Sequence, residues 1–168
     1  LTERLAKFVV LGFSGVLMYV QLWLSREDSS PRPRKSLQAT IVVVLSAAVL
    51  AAGFSSSCSP VAYLVSYGKV TVPMSDVYPF AAIIFLMVYT QYLASTVLFE
   101  IQGRRLVTFS ALGGAIYFLA ACTLQGPDAI KSGMAWNVLA SELVVAIIQT
   151  LGWIYVRHVP AKRPEEVA

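Results

Sequence analysis

Residues Tyr67–Arg105 read YGKVTVPMSDVYPFAAIIFLMVYTQYLASTVLFEIQGRR. A short alternating piece, Lys69-Val70-Thr71-Val72-Pro73, leads through Asp76 into the uncharged run Val77–Phe99, which Glu100, Arg104 and Arg105 close. A helix that crosses a bilayer needs about 20 consecutive, mainly apolar residues. This run supplies them, and the rest of the chain reads as its neighbours.

Composition points the same way. Of 168 residues, 57% are hydrophobic and 13% charged, with a mean hydropathy of +0.70. Soluble domains carry about 25% charged residues, so this chain lacks the charge to cover a water-facing surface. No polar stretch is long enough for a second domain. The expected fold class is an all-α integral membrane protein, one domain over residues 1–168, with about five transmembrane helices.

Outward from the opening stretch, the spans fall at about 8–24, 38–57, 77–99, 106–124 and 133–156. The first, with Tyr19 and Trp23 towards its far end, is too long for a signal peptide and lacks a small-residue cleavage site, so it reads as a mature helix. The prolines and charges of Ser25–Lys35 break the chain before the second span, which is rich in Ala, Ser and Gly. Small residues spaced by four let membrane helices approach closely. Ser55–Pro60 reads as the end of that span. Val61–Val72 reads as an irregular or β-hairpin connection turning at Tyr67-Gly68. Gly113-Gly114 sits mid-way along the fourth span, and Gln125-Gly126-Pro127-Asp128 has turn composition.

Positive charge orients the bundle. The N-terminus and the second and fourth loops hold four Lys and Arg, whereas the first and third loops and the tail hold nine. The first and third loops and the C-terminus therefore fall on the cytoplasmic-type side, the N-terminus opposite. These cations sit beside apolar spans, where anionic headgroups are the natural counter-charge. The bilayer is thus the expected partner, and nucleic acid is not.

Two cysteines, Cys58 and Cys122, no CxxC and a single His158 leave metal sites and haem without a ligand set. The cysteines read as two packed thiols in preference to a disulfide. No Ser/His/Asp set, carboxylate pair or phosphate-cradling loop appears, so no catalytic residue is assigned and no enzyme activity is expected.

Polar groups inside spans mark candidate ligand contacts. Glu142 is a carboxylate well inside the fifth span, and Val138, Glu142, Val145 and Gln149 share one helical face, which turns Glu142 and Gln149 inward. Tyr89, Thr90, Gln91 and Tyr92 form a polar belt on the third span. Trp136 and Asn137 open the fifth, with Asn137 read as interfacial. The ligand-contact candidates are thus Glu142, Gln149, Gln91, Tyr89 and Trp136; for each, the competing reading is an interhelical hydrogen bond or packing role. A short echo, Arg4-Leu5-x-x-Phe8-x-x-Leu11-Gly12 against Arg105-Leu106-x-x-Phe109-x-x-Leu112-Gly113, relates two oppositely running helices, as in inverted-repeat transporters.

The pieces "MYVQLWL", "VTVPMSDVY", the Arg104-Arg105 loop, "LQGPD" and "AKRPEE", in this order, resemble the first five helices of a microbial (type I) rhodopsin. The resemblance implies a rhodopsin-like arrangement with a short β-like hairpin between helices two and three. The family's third helix carries an Arg, an Asp counterion and a Trp; aligned from Asp76, those positions here are Pro79, Ala82 and Ile83. The proton-donor carboxylate is missing, and no retinal-linking lysine lies in any span. No cofactor is assigned beyond a bound lipid or pigment.

These observations lead to a non-catalytic, rhodopsin-like membrane protein serving as an accessory subunit beside other membrane subunits, for example in an energy-transducing or photosynthetic complex of an organellar membrane such as the thylakoid. The alternatives are a retinal-binding photoreceptor or proton-pump fragment lacking its last helices, and a small transporter or flippase.

Overall fold

The computed structural model describes residues 2–25, 32–69, 71–98 and 104–158. It is built of four helical elements: α1 (Thr2–Ser25), α2 (Arg32–Val65), α3 (Met74–Tyr92), continued by the π-helical Leu93–Leu98, and α4 (Arg104–His158). A straight helix as long as α4 would hold Leu106 and Gly152 about 70 Å apart. Yet Gly152 packs directly on Leu106, and Gly113 on Ile148. The helix therefore doubles back between Gln125 and Gly133, giving an outgoing arm, Arg105–Gln125, and a returning arm, Gly133–Tyr155. With Ala6–Leu24, Ser36–Val65 and Met74–Ser95, five segments are long and apolar enough to cross a membrane. The protein is an all-helical integral membrane protein.

The connection between α2 and α3 differs from the expected hairpin. Among the described residues there is no strand, and Val70 lies outside them. Helix α2 runs through Pro60 to Val65. Proline removes one backbone donor, and a helix in lipid tolerates it because a break would expose many more unpaired groups. Nearby hydroxyls also serve this stretch of backbone: Ser55 Oγ donates to Ala51 O at 2.9 Å and Ser56 Oγ to Gly53 O at 3.0 Å. The helix ends in a Schellman-type cap. Gly68 N–H donates to Tyr63 O at 2.8 Å and Tyr67 N–H to Leu64 O at 3.2 Å. Tyr67 (φ 53°) and Gly68 (φ 78°) both take the left-handed conformation. Helix α3 then starts after the extended Pro73, with Asp76 in its first turn, where a carboxylate favours the helix dipole. The charged loop around Arg26 and Glu27, Phe99 and Glu100, and the tail from Val159 lie outside the described residues.

α3 is the centre of the bundle. Half of its most apolar window is buried, against 11–22% for the other four spans. Towards the end where α1 begins, Val77, Ala81 and Ile84 pack on Ala6 of α1 and on Phe54 and Cys58 of α2. Towards the other end, Val88, Tyr92 and Leu93 pack on Phe13, Leu17 and Val20 of α1 and on Ala39, Val43 and Ala47 of α2. Trp153 of the returning arm closes this second cluster. The α2 positions recur mostly every fourth residue, so α2 meets α3 along one narrow face of small side chains.

Candidate functional site

The polar groups of the spans pair locally across helix seams. Two tyrosines on α3 reach in different directions. Thr150 Oγ1 donates to Ala146 O at 2.7 Å, so the Tyr89 hydroxyl, 3.0 Å away, donates to Thr150 Oγ1. Thr40 Oγ1 likewise gives its proton to Ser36 O at 2.8 Å, and the Tyr92 hydroxyl lies 3.1 Å from Thr40 Oγ1 and 3.4 Å from Ser36 O. Tyr89 thus ties α3 to the returning arm of α4, and Tyr92 ties it to α2. Thr90 bonds within its own helix, to Met87 O at 3.2 Å.

The seam between the arms of α4 is built on glycine. A Cβ on Gly114 would stand 2.6 Å from Val145 Cγ2 and 3.2 Å from Ser141 O, and one on Gly113 would stand 3.0 Å from Ile148 Cδ1. At Gly114, where the neighbour is backbone, a side chain would force the arms apart. Two polar pairs lie along this seam. The side-chain amides of Gln125 and Asn137 bond each other reciprocally, Nε2 to Oδ1 at 3.1 Å and Nδ2 to Oε1 at 2.8 Å. Asn137 is therefore buried in the hairpin. At the other end, Gln149 Nε2 donates to Ser110 Oγ at 3.1 Å. Ser110 has already committed its proton to Val107 O at 2.8 Å, which fixes the Gln149 amide with nitrogen towards serine. Gln149 Oε1 stays buried with no hydrogen-bond partner.

The five sequence candidates do not converge. Gln149 is buried in the hairpin seam, as its spacing indicated. Glu142 is partly buried on the same arm. One turn beyond the Gly114–Val145 contact, it lies level with Tyr117 and Phe118 by the register of the hairpin. Tyr89 bonds Thr150, Gln91 is exposed on the flank of α3, and Trp136 is 56% exposed on the outside of the returning arm. Sequence reading passed over Ser110, Thr150, Thr40 and Gln125 as partners. A hydroxyl or amide at a span position is a weak signal until the facing helix and its register are known.

Among the described residues, no three His, Cys, Asp or Glu side chains come together as a metal site. Cys58 and Cys122 are free thiols, the first buried against α3 and the second partly buried on the outgoing arm of α4. What the arrangement can do chemically is hold helices at fixed separations. No family model, curated protein or solved structure matches the chain.

Proposed function

We propose that the chain is a non-catalytic membrane subunit with a rhodopsin-like arrangement of its first five helices, one that packs beside other membrane proteins. The observation that supports this best is the dispersal of its polar groups. Tyr89, Tyr92, Gln149 and Asn137 are each used in a bond across a helix seam, to Thr150, Thr40, Ser110 and Gln125 in turn. A transporter or photoreceptor needs convergent polar groups around a ligand. The kinship with microbial rhodopsins rests on the sequence pieces quoted above. Gln91 supports the subunit reading further: it exposes an amide about one turn inside the α3 span, where a neighbouring helix can satisfy it.

The test is purification of the tagged chain from its native membrane in a mild detergent, followed by crosslinking and mass spectrometry. The expected result is a defined complex that Gln91→Leu weakens. A lone monomer in the same detergent overturns the reading. Absorbance that bleaches with hydroxylamine would favour the photoreceptor alternative, and substrate flux abolished by Glu142→Gln would favour the transporter.

A further inference from the structure

A groove of about 500 Å³ lies between the start of α1 and the second half of α2. Phe8 and Val9 form one wall, and Val49, Gly53, Ser57 and Val61 run along the other. Gly53 keeps it open, with nothing within 4 Å of where a Cβ would stand.

Its dimensions select an occupant. The stretch Val49–Val61 rises about 18 Å along the helix axis, which is close to half of the ~30 Å hydrocarbon core of a bilayer. The groove therefore opens where α1 begins and reaches towards the mid-plane, the depth of one leaflet. Spread over that length, its volume corresponds to a channel roughly 6 Å wide, whereas a helix with its side chains needs about 10 Å. The channel's width suits a hydrocarbon chain.

The open end carries the matching charge. Arg4 and Lys7 are exposed on the turn before Phe8, and Lys69 is exposed just past the cap of α2. The facing carboxylate among the described side chains is Asp76, at the start of α3. Tyr63 and Tyr67 are exposed at the same end, where amphipathic rings sit at headgroup level.

We infer that this groove binds one anionic phospholipid from the leaflet at the N-terminal end of α1. An acyl chain lies along α2, and the phosphate is held by Arg4 and Lys69. The site is separate from the polar pairs that join α3 and α4.

Native mass spectrometry of the full chain, reconstituted with equal phosphatidylglycerol and phosphatidylcholine, tests this. The wild type should retain one phosphatidylglycerol in preference to phosphatidylcholine. Arg4→Gln and Lys69→Gln should each lower that preference about fivefold, since a cation near an anionic surface contributes about 1 kcal/mol. Gly53→Leu and, independently, Val49→Trp should fill the groove and release the lipid with helix content unchanged by circular dichroism. Leu119→Trp, on an exposed face of α4, should leave retention as it is. Equal retention of the two lipids would mean annular lipid only and overturn the inference. So would undiminished retention in the folded Gly53→Leu or Val49→Trp variant, or a protein chain in place of the lipid.

Discussion

The glycines of α4 and those of α1 and α2 sit in opposite surroundings. Gly113, Gly114 and Gly152 press against the facing arm, so that a methyl group would make Ile148 shift at Gly113, displace Leu106 at Gly152, and at Gly114 meet the backbone itself. Gly12, Gly15 and Gly53 have no neighbour within 4 Å of a Cβ position. In α4 the missing side chain is filled by a partner helix. In α1 and α2 it is left as recessed surface in a region that meets lipid. Close approach strengthens dispersion and backbone contacts between helices, the main association forces where water supplies none. Recessed surface does the reverse, keeping a helix available to something outside the bundle.

Substitutions can break this contrast, and the largest effect is expected in the hairpin. Gly114→Val meets Val145 and the rigid backbone carbonyl of Ser141 at once. It should cost about 3 kcal/mol in a detergent unfolding titration, because overpacked helices must separate or strain. Next comes the polar pair beside it. Ser110→Ala removes the partner of Gln149 Nε2 while Oε1 is already unpaired, and should cost about 1–2 kcal/mol. Gln149→Leu removes the stranded amide altogether and leaves Ser110 bonded to Val107 O, so it should be close to neutral in the same titration. A larger loss for Gln149→Leu than for Ser110→Ala would show that the glutamine is held by more than this pair.

At the open glycines the sign reverses. Gly15→Ala and Gly12→Ala meet no atom and should each stabilise the fold by up to about 1 kcal/mol, read as a higher thermal midpoint, because alanine loses less backbone freedom in a helix. A loss at either position would place an unseen packing surface on α1. A modest loss is expected from Tyr89→Phe, which removes one interhelical hydroxyl bond and should cost about 0.6 kcal/mol.

Much of this fold was legible from residue order, for a physical reason. Span length and apolarity are local properties dictated by the bilayer, so the five segments and their approximate limits follow from runs such as Val77–Phe99 alone. The end of α2 was misplaced because Pro60 stops helices in water, where a broken turn is rehydrated, but not where the alternative is bare backbone in hydrocarbon. Val61–Val65 then suited helix and strand equally by side-chain type.

The candidate site was less legible. Tyr89, Thr90, Gln91 and Tyr92 are consecutive, and successive helix positions point about 100° apart. They therefore scatter to α4, to their own backbone, to the outside and to α2. Gln149 could be placed inward from spacing, but its partner Ser110 depends on the register of a hairpin that no local pattern encodes.

The central position of α3 also sets an order of assembly. Chains enter the membrane from the N-terminus, and α2 packs far more on α3, a helix that is made after it, than on α1. Until α3 arrives, the first two helices have little to hold them together beyond their own contacts. Once it is in place, its other flank, with Tyr89 outstretched, awaits the two arms of α4. Those arms already carry their own seam of glycine and paired amides, so they can close on each other first and dock as a finished unit. The molecule is built as a scaffold of three followed by a clasp of two, and the joint between them is the turn of α3 from which Tyr89 and Tyr92 depart.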